Sequence, residues 1–247
     1  MDWLIILGAA FAAGALNAVA GGGSFLTLPA LVFTGIPAVA ANATGTVALF
    51  PGYVAGVWGF REDMQSPPSL SMREIVLLSL LGGAAGAVLL LVTSEATFSK
   101  VIPWLLLVAT AVFAFGPRLR QWAGSSDGRA VSFWKSRLSM LAVAVYGGYF
   151  NGGLGILLLA LFSLLGQSQL NAMNGMKNLV SALLTFIAVV IYALGNVVVW
   201  HQALVMMVAA TIGGYLGARM ARRVAAQWLR WGIVAVGLLM TALFFLK

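Results

Sequence analysis

The stretch LNAVAGGGSFLTLPALVFTGIPAVAANATGT, residues 16–46, decides how the rest of the chain is read. Three consecutive glycines, Gly21, Gly22 and Gly23, interrupt an otherwise apolar run. Glycine costs about 1 kcal/mol in a helix interior. Lipid satisfies no backbone polar group, so a break at membrane depth must face protein or a water-filled cavity. The run therefore reads as a helix that dips into a bilayer and breaks at the triplet. It then either returns as a hairpin or continues as a half-helix.

That a bilayer is the solvent follows from the remainder. The 247 residues are 62% hydrophobic and only 8% charged, too few polar side chains to cover a soluble surface. Apolar runs near 38–60, 72–94, 99–117, 169–193, 198–218 and 231–246 each approach the ~20 residues that cross a hydrocarbon core. Two more, 3–34 and 138–166, are broken by glycine. No run alternates polar and apolar every second residue as a barrel strand would, so the spans are helices. Cysteine is absent and His201 is the single histidine, which removes thiol chemistry and multi-histidine metal sites; no metal or cofactor is expected. The opening MDWLIILGAAFAAGALNA lacks a basic n-region and reads as a retained first helix. The tryptophans lie mostly near span ends, as an aromatic belt does.

The formal charge is +8, yet nine of the 14 basic residues fall in two segments. These are Arg118, Arg120, Arg129, Lys135 and Arg137, then Arg219, Arg222, Arg223 and Arg230. Short basic loops beside spans mark the cytoplasmic side and contact anionic lipid, and nucleic acid is not indicated.

Sliding the chain by 131 residues superposes Gly21, Gly22 and Gly35 on Gly152, Gly153 and Gly166, and GGAAGA (82–87) on GGYLGA (213–218). A single offset joining separated glycine sets is an internal repeat. With both basic segments inside, the loop 61–73 is cytoplasmic, whereas its counterpart 194–201 falls outside. The expected fold is thus an all-α polytopic membrane protein of two inverted-topology repeats, each beginning with a glycine-broken or re-entrant helix. The first repeat covers 1–117, a cytoplasmic linker 118–136 and the second repeat 137–247. Both termini are expected on the outer, periplasmic face. The small-xxx-small pairs Gly82/Gly86 and Gly213/Gly217 read as helix-packing surfaces, within the subunit or in a homodimer.

Inverted repeats are the common construction of secondary transporters, with substrate near the midplane between discontinuous helices. The matching breaks are AVAGGGSFL and YFNGGLGIL. The free N-terminus of a half-helix carries about half a positive charge and favours an anion. Lys177 lies well inside its span, and the acidic residues Asp2, Glu62, Asp63, Glu74, Glu95 and Asp127 all fall at span ends or in loops. An unpaired cation at that depth points to an anionic substrate as its partner. The candidate substrate site comprises Gly21, Gly22, Gly23, Gly152, Gly153 and Lys177, with polar neighbours Asn42, Thr44, Thr46, Asn171, Asn174 and Asn178. Asn17 and Asn151, just before the breaks, either satisfy freed backbone groups or donate to a ligand. Ser24 is the expected N-cap of the first half-helix. A Ser24–His201 dyad would need the two within reach, and His201 is expected outside at a span end, so no enzyme is expected.

The residues AVAGGGSFLTLPALVFTG, AANATGTVALF and the repeated NGGLGILLLALFSLLG with NAMNGMKNLVS resemble the TauE/SafE sulfite exporter family over almost the whole chain. The resemblance implies transport of sulfur-containing anions, such as sulfite or small organosulfonates, across the bacterial inner membrane. It carries the broken-helix motif onto Gly21, Gly22, Gly23, Gly152 and Gly153. The second half departs from the family pattern, with NGGLG in place of a longer glycine run and Ala160 where the first half has Pro29. Lys177 rests on the burial argument alone. The expected activity is alternating-access export; the alternatives are an anion channel or an uptake permease for another small organic anion.

Overall fold

Glycine, proline and polar punctuation divide the apolar chain into ten helices among the residues described. A computed structural model describes residues 2–19, 21–124, 132–220 and 226–246. The helices are α1 (Asp2–Val19), α2 (Ser24–Phe33), α3 (Ala38–Gly59), α4 (Met72–Val92), α5 (Glu95–Gly124), α6 (Phe133–Tyr149), α7 (Leu154–Leu164), α8 (Leu170–Leu194), α9 (Trp200–Met220) and α10 (Ala226–Phe245). The core of the expected linker, 125–131, falls outside the described residues, as do the side chains of Arg118, Arg120, Arg129, Arg219, Arg222, Arg223 and Arg230. By length and apolarity together, three described segments suffice to cross a membrane: α4, Glu95–Val112 of α5, and α8. In α3, 22 residues long, Asn42, Thr44 and Thr46 dilute the apolar run.

The helices form two sets of five in the same order, and each set opens with a long helix, a glycine break and a short helix. Packing respects the repeat. Helix α1 lies against α9 and α6 against α4, while α3 meets its counterpart α8 and α5 meets α10. Exchanging α1–α5 with α6–α10 therefore maps the principal helix contacts onto themselves.

Small residues make those contacts close. A Cβ on Gly213 would meet the backbone of Phe11, and one on Gly217 would meet Ala15; Gly14 faces Ala210 in the same way. Gly82 faces Ala144, and Gly86 faces Val145 and Gly148. The small-xxx-small surfaces are thus occupied within the chain, where close backbone approach replaces the hydrophobic drive that lipid cannot supply. The outer face is apolar, with Leu77, Leu81, Leu138, Phe186, Leu204, Val208 and Leu239 exposed.

Helix α2 turns back beside α1. Its first residues abut α1 near Ala13, and its later residues Pro29, Val32 and Phe33 share a crevice with Ile5 and Ala9 near the start of α1. The first broken segment is therefore a hairpin. At the helix ends, α4 begins with a capping box in which the Ser71 amide donates to Glu74 at 2.8 Å and the Glu74 amide donates to the Ser71 hydroxyl at 3.3 Å. Helix α3 has Pro37 at its cap position, with no side-chain cap of its own. Glu95 of α5 accepts from the amides of Ala38 and Val39 instead. The loop after α3 meets the turn after α7, where Gln167 donates to the Gln65 carbonyl at 3.0 Å and Ser69 to the Leu165 carbonyl at 3.3 Å. The loop before α9 instead meets the starts of α1 and α3. His201 packs edge-on against Trp3, and the Val199 amide donates to the Thr44 hydroxyl at 3.0 Å.

Candidate functional site

The two glycine breaks touch. Gly21 has φ +74°, and a Cβ there would sit 3.0 Å from the Gly155 Cα; a Cβ on Gly155 would sit 3.0 Å from the Gly21 Cα. Only glycine permits both the left-handed backbone at Gly21 and this backbone-to-backbone approach. Gly153, the residue before α7, is also left-handed at φ +71°. All residues of the breaks, 21–24 and 151–155, are buried.

At the second break the polar backbone is satisfied unevenly. The carbonyls accept from side chains: Tyr192 donates to Gly148 at 2.5 Å, Asn42 to Tyr149 at 3.0 Å and Tyr146 to Gly152 at 2.6 Å. The amides of Gly152, Gly153, Leu154 and Gly155 donate to no acceptor among the described residues. Buried amides without acceptors cost of the order of 1–3 kcal/mol each. They also carry the positive end of the α7 dipole. The break therefore presents consecutive open amides, while the carbonyls of Phe150 and Asn151 also accept from no described donor.

Lys177 lies beside this point. A Cβ on Gly155 would be 3.4 Å from the Lys177 Cδ, so the lysine stem runs along the glycine. Lys177 is 5% exposed and makes no hydrogen bond or ion pair with any described residue. Among the described residues it is also the only charged side chain in the buried class. Asn178, next in sequence, packs against Gly56 of α3.

The other expected site residues divide. Gly22 and Gly23 are buried at the first break. Ser24 is buried there too, but it is the first residue of α2 and not its cap; Gly23 holds the cap position, with no side-chain hydrogen bond. Asn151 is 3% exposed and spends its side chain on others. It accepts from the Tyr53 hydroxyl at 3.2 Å and donates to the Thr185 hydroxyl at 3.5 Å. Asn17 also lies beside the Tyr53 hydroxyl. Backbone satisfaction near the break, one of the two roles open to Asn151, thus falls to Asn42 and two tyrosines. Thr46 donates to its own helix at the Asn42 carbonyl, 2.8 Å away, and Thr44 holds the loop before α9. Asn174 is half-buried, whereas Asn171 is exposed at the start of α8 and is not brought to the breaks. His201 sits against Trp3, about 24 Å of helix from the break that holds Ser24, which leaves no serine–histidine dyad.

Four residues escaped the sequence reading: Gly155, Tyr53, Tyr146 and Tyr192. The signal for the tyrosines was their position inside spans, since a tyrosine away from the interfacial belt needs a partner for its hydroxyl.

A family model described as "Sulfite exporter TauE/SafE" matches residues 6–244. A "Probable membrane transporter protein" of Haemophilus influenzae is 30% identical over 246 residues, covering 94% of this chain and 90% of that protein. The "Probable membrane transporter protein YfcA" of Escherichia coli strain K12 is 26% identical over 238 residues, covering 94% and 86%. A "Probable membrane transporter protein ORF9" of a Sinorhizobium species is 26% identical over 237 residues, covering 93% and 87%. No solved structure matches the chain significantly.

Proposed function

We propose a function from the premise that this chain belongs to the TauE/SafE sulfite exporter family and is a membrane transporter. It is a secondary exporter of small sulfur-containing anions, sulfite or two-carbon organosulfonates, working by alternating access around the meeting point of the two breaks. The observation that carries the reading is Lys177, a buried cation without a partner among the described residues, beside a break whose amides are open. A tetrahedral oxyanion presents several acceptors to such amides and one charge to such a lysine. No carboxylate accompanies Lys177, which disfavours zwitterions.

The two halves are read as inverted repeats in the bacterial inner membrane, 1–117 and 137–247, with the linker cytoplasmic and both termini periplasmic. Two observations support the inversion. The α3–α4 loop abuts the α7–α8 turn, while its counterpart, the α8–α9 loop, abuts the starts of α1 and α3. The helix contacts are also preserved on exchanging the halves. Alternating access would then exchange which half closes over the shared site.

Calorimetric titration of the purified protein with sulfite, sulfoacetate and acetate tests the site. Sulfite or sulfoacetate heat present in the wild type and lost in Lys177→Ala is the expected result. Equal heats in the two proteins would mean that Lys177 does not hold the anion.

A further inference from the structure

A second buried group at the breaks lacks a partner, and its sign is opposite to that of the lysine. Asn17 Oδ1 is an acceptor shielded from solvent with no donor among the described residues. Asn17 adjoins the Tyr53 hydroxyl, which itself donates to Asn151. Tyr53 and Gly56 are three apart on α3 and so share a face, and Gly56 packs on Asn178, the neighbour of Lys177. By the other route, Asn17 lies one turn before Gly21, which touches Gly155, which touches the Lys177 stem. Both routes link the residue of the orphan acceptor to that of the orphan cation by way of neighbours around the two breaks. Of the other buried side-chain oxygens without partners among the described residues, Thr27 and Thr110 pack against Gly45 and Gly237, and Gln202 lies in the first turn of α9.

Resting on the transport reading above, we propose that the substrate is a short monoanion that carries its own neutral hydroxyl donor. Its anionic oxygens lie by Lys177 and its hydroxyl on Asn17 Oδ1. The charge count favours a monoanion over a dianion such as sulfoacetate. One ammonium balances one negative charge, and a second would rest on the open amides alone in a low-dielectric interior. The donor must be neutral, because an ammonium would bring a second positive charge beside Lys177 with no carboxylate to offset it. A hydroxyl matches the acceptor at no charge. A site with a buried acceptor discriminates against ligands that leave it unpaired.

The test uses two probes of equal heavy-atom count, 2-hydroxyethanesulfonate and 1-propanesulfonate, titrated into the full chain in detergent. The wild type is expected to bind the hydroxylated probe at least about tenfold more tightly. In Asn17→Leu the ratio is expected to fall to about one, chiefly through loss of the hydroxylated probe, while propanesulfonate holds. A wild type that binds propanesulfonate as well or better would overturn the inference without any variant, while leaving the sulfonate transporter reading intact. A preference that survives in Asn17→Leu would overturn it likewise. Absence of binding by both probes and by sulfite would overturn the transport reading and this inference with it.

Discussion

Replacing Lys177 with methionine separates a substrate-binding lysine from a structural one, because the two roles change stability in opposite directions. Methionine keeps the unbranched stem that lies along Gly155 and removes only the ammonium. Lys177 is about 10 Å into α8 and 5% exposed, and its ammonium meets no partner among the described residues. A lysine at the centre of a span costs about 2.5–3.5 kcal/mol on insertion scales. Allowing for its position short of the centre, removal should stabilise the empty protein by roughly 1–3 kcal/mol. At about 2–4 °C per kcal/mol for a chain of this length, the unfolding midpoint in detergent should rise by several degrees. Ligand should act the other way round. Sulfite at about 100 times its dissociation constant should stabilise the wild type by ~2.7 kcal/mol, and it should leave Lys177→Met unmoved. Scanning fluorimetry with and without sulfite reads both effects in one experiment. A lower midpoint for the empty variant would refute the reasoning, because it would mean that the ammonium holds a structural contact.

Other positions give sharper structural tests. Gly153→Ala forces a side chain onto a φ of +71° and should cost about 1–2 kcal/mol, measured as a lowered midpoint, whereas Gly8→Ala, with nothing within 4 Å, should change it by less than about 1 kcal/mol. Gly213→Leu should force α1 and α9 apart and cost at least ~1–3 kcal/mol, visible as poor recovery of folded protein by size-exclusion chromatography. Tyr192→Phe leaves the Gly148 carbonyl without its donor and should cost about 1–3 kcal/mol while sparing sulfonate affinity, since the open amides are untouched; calorimetry checks the second half. Glu95→Ala uncaps α3 and should cost about 1 kcal/mol, with faster amide exchange at Ala38 and Val39 as its local signature.

The ten-helix order and the matched breaks were legible in the chain because they are local. Apolar length sets a span, and glycine triplets and doublets set an interruption. Lys177 was legible for a related reason, since a charge deep inside an apolar run is conspicuous without any knowledge of its neighbours. The partners were not legible. Asn42 was read as a site residue yet holds the Tyr149 carbonyl, 107 positions away. Asn151 was read as either satisfying freed backbone or donating to a ligand, and its side chain joins Tyr53 and Thr185. Ser24 looked like a cap and is the first helical residue, while α3, whose own cap position is proline, takes its cap from Glu95. Each of these pairings crosses from one helix to another, and hydrogen bonds between helices leave no periodic trace in either segment. By itself the sequence determined where the apolar runs lie, where they break and that a cation lies inside one of them. The tertiary structure decided that the breaks meet at Gly21 and Gly155, that the second leaves a run of amides open beside Lys177, and that Asn17 stands opposite Lys177 in sign, because close backbone approach and donor–acceptor matching exist only once helices distant in sequence are packed together.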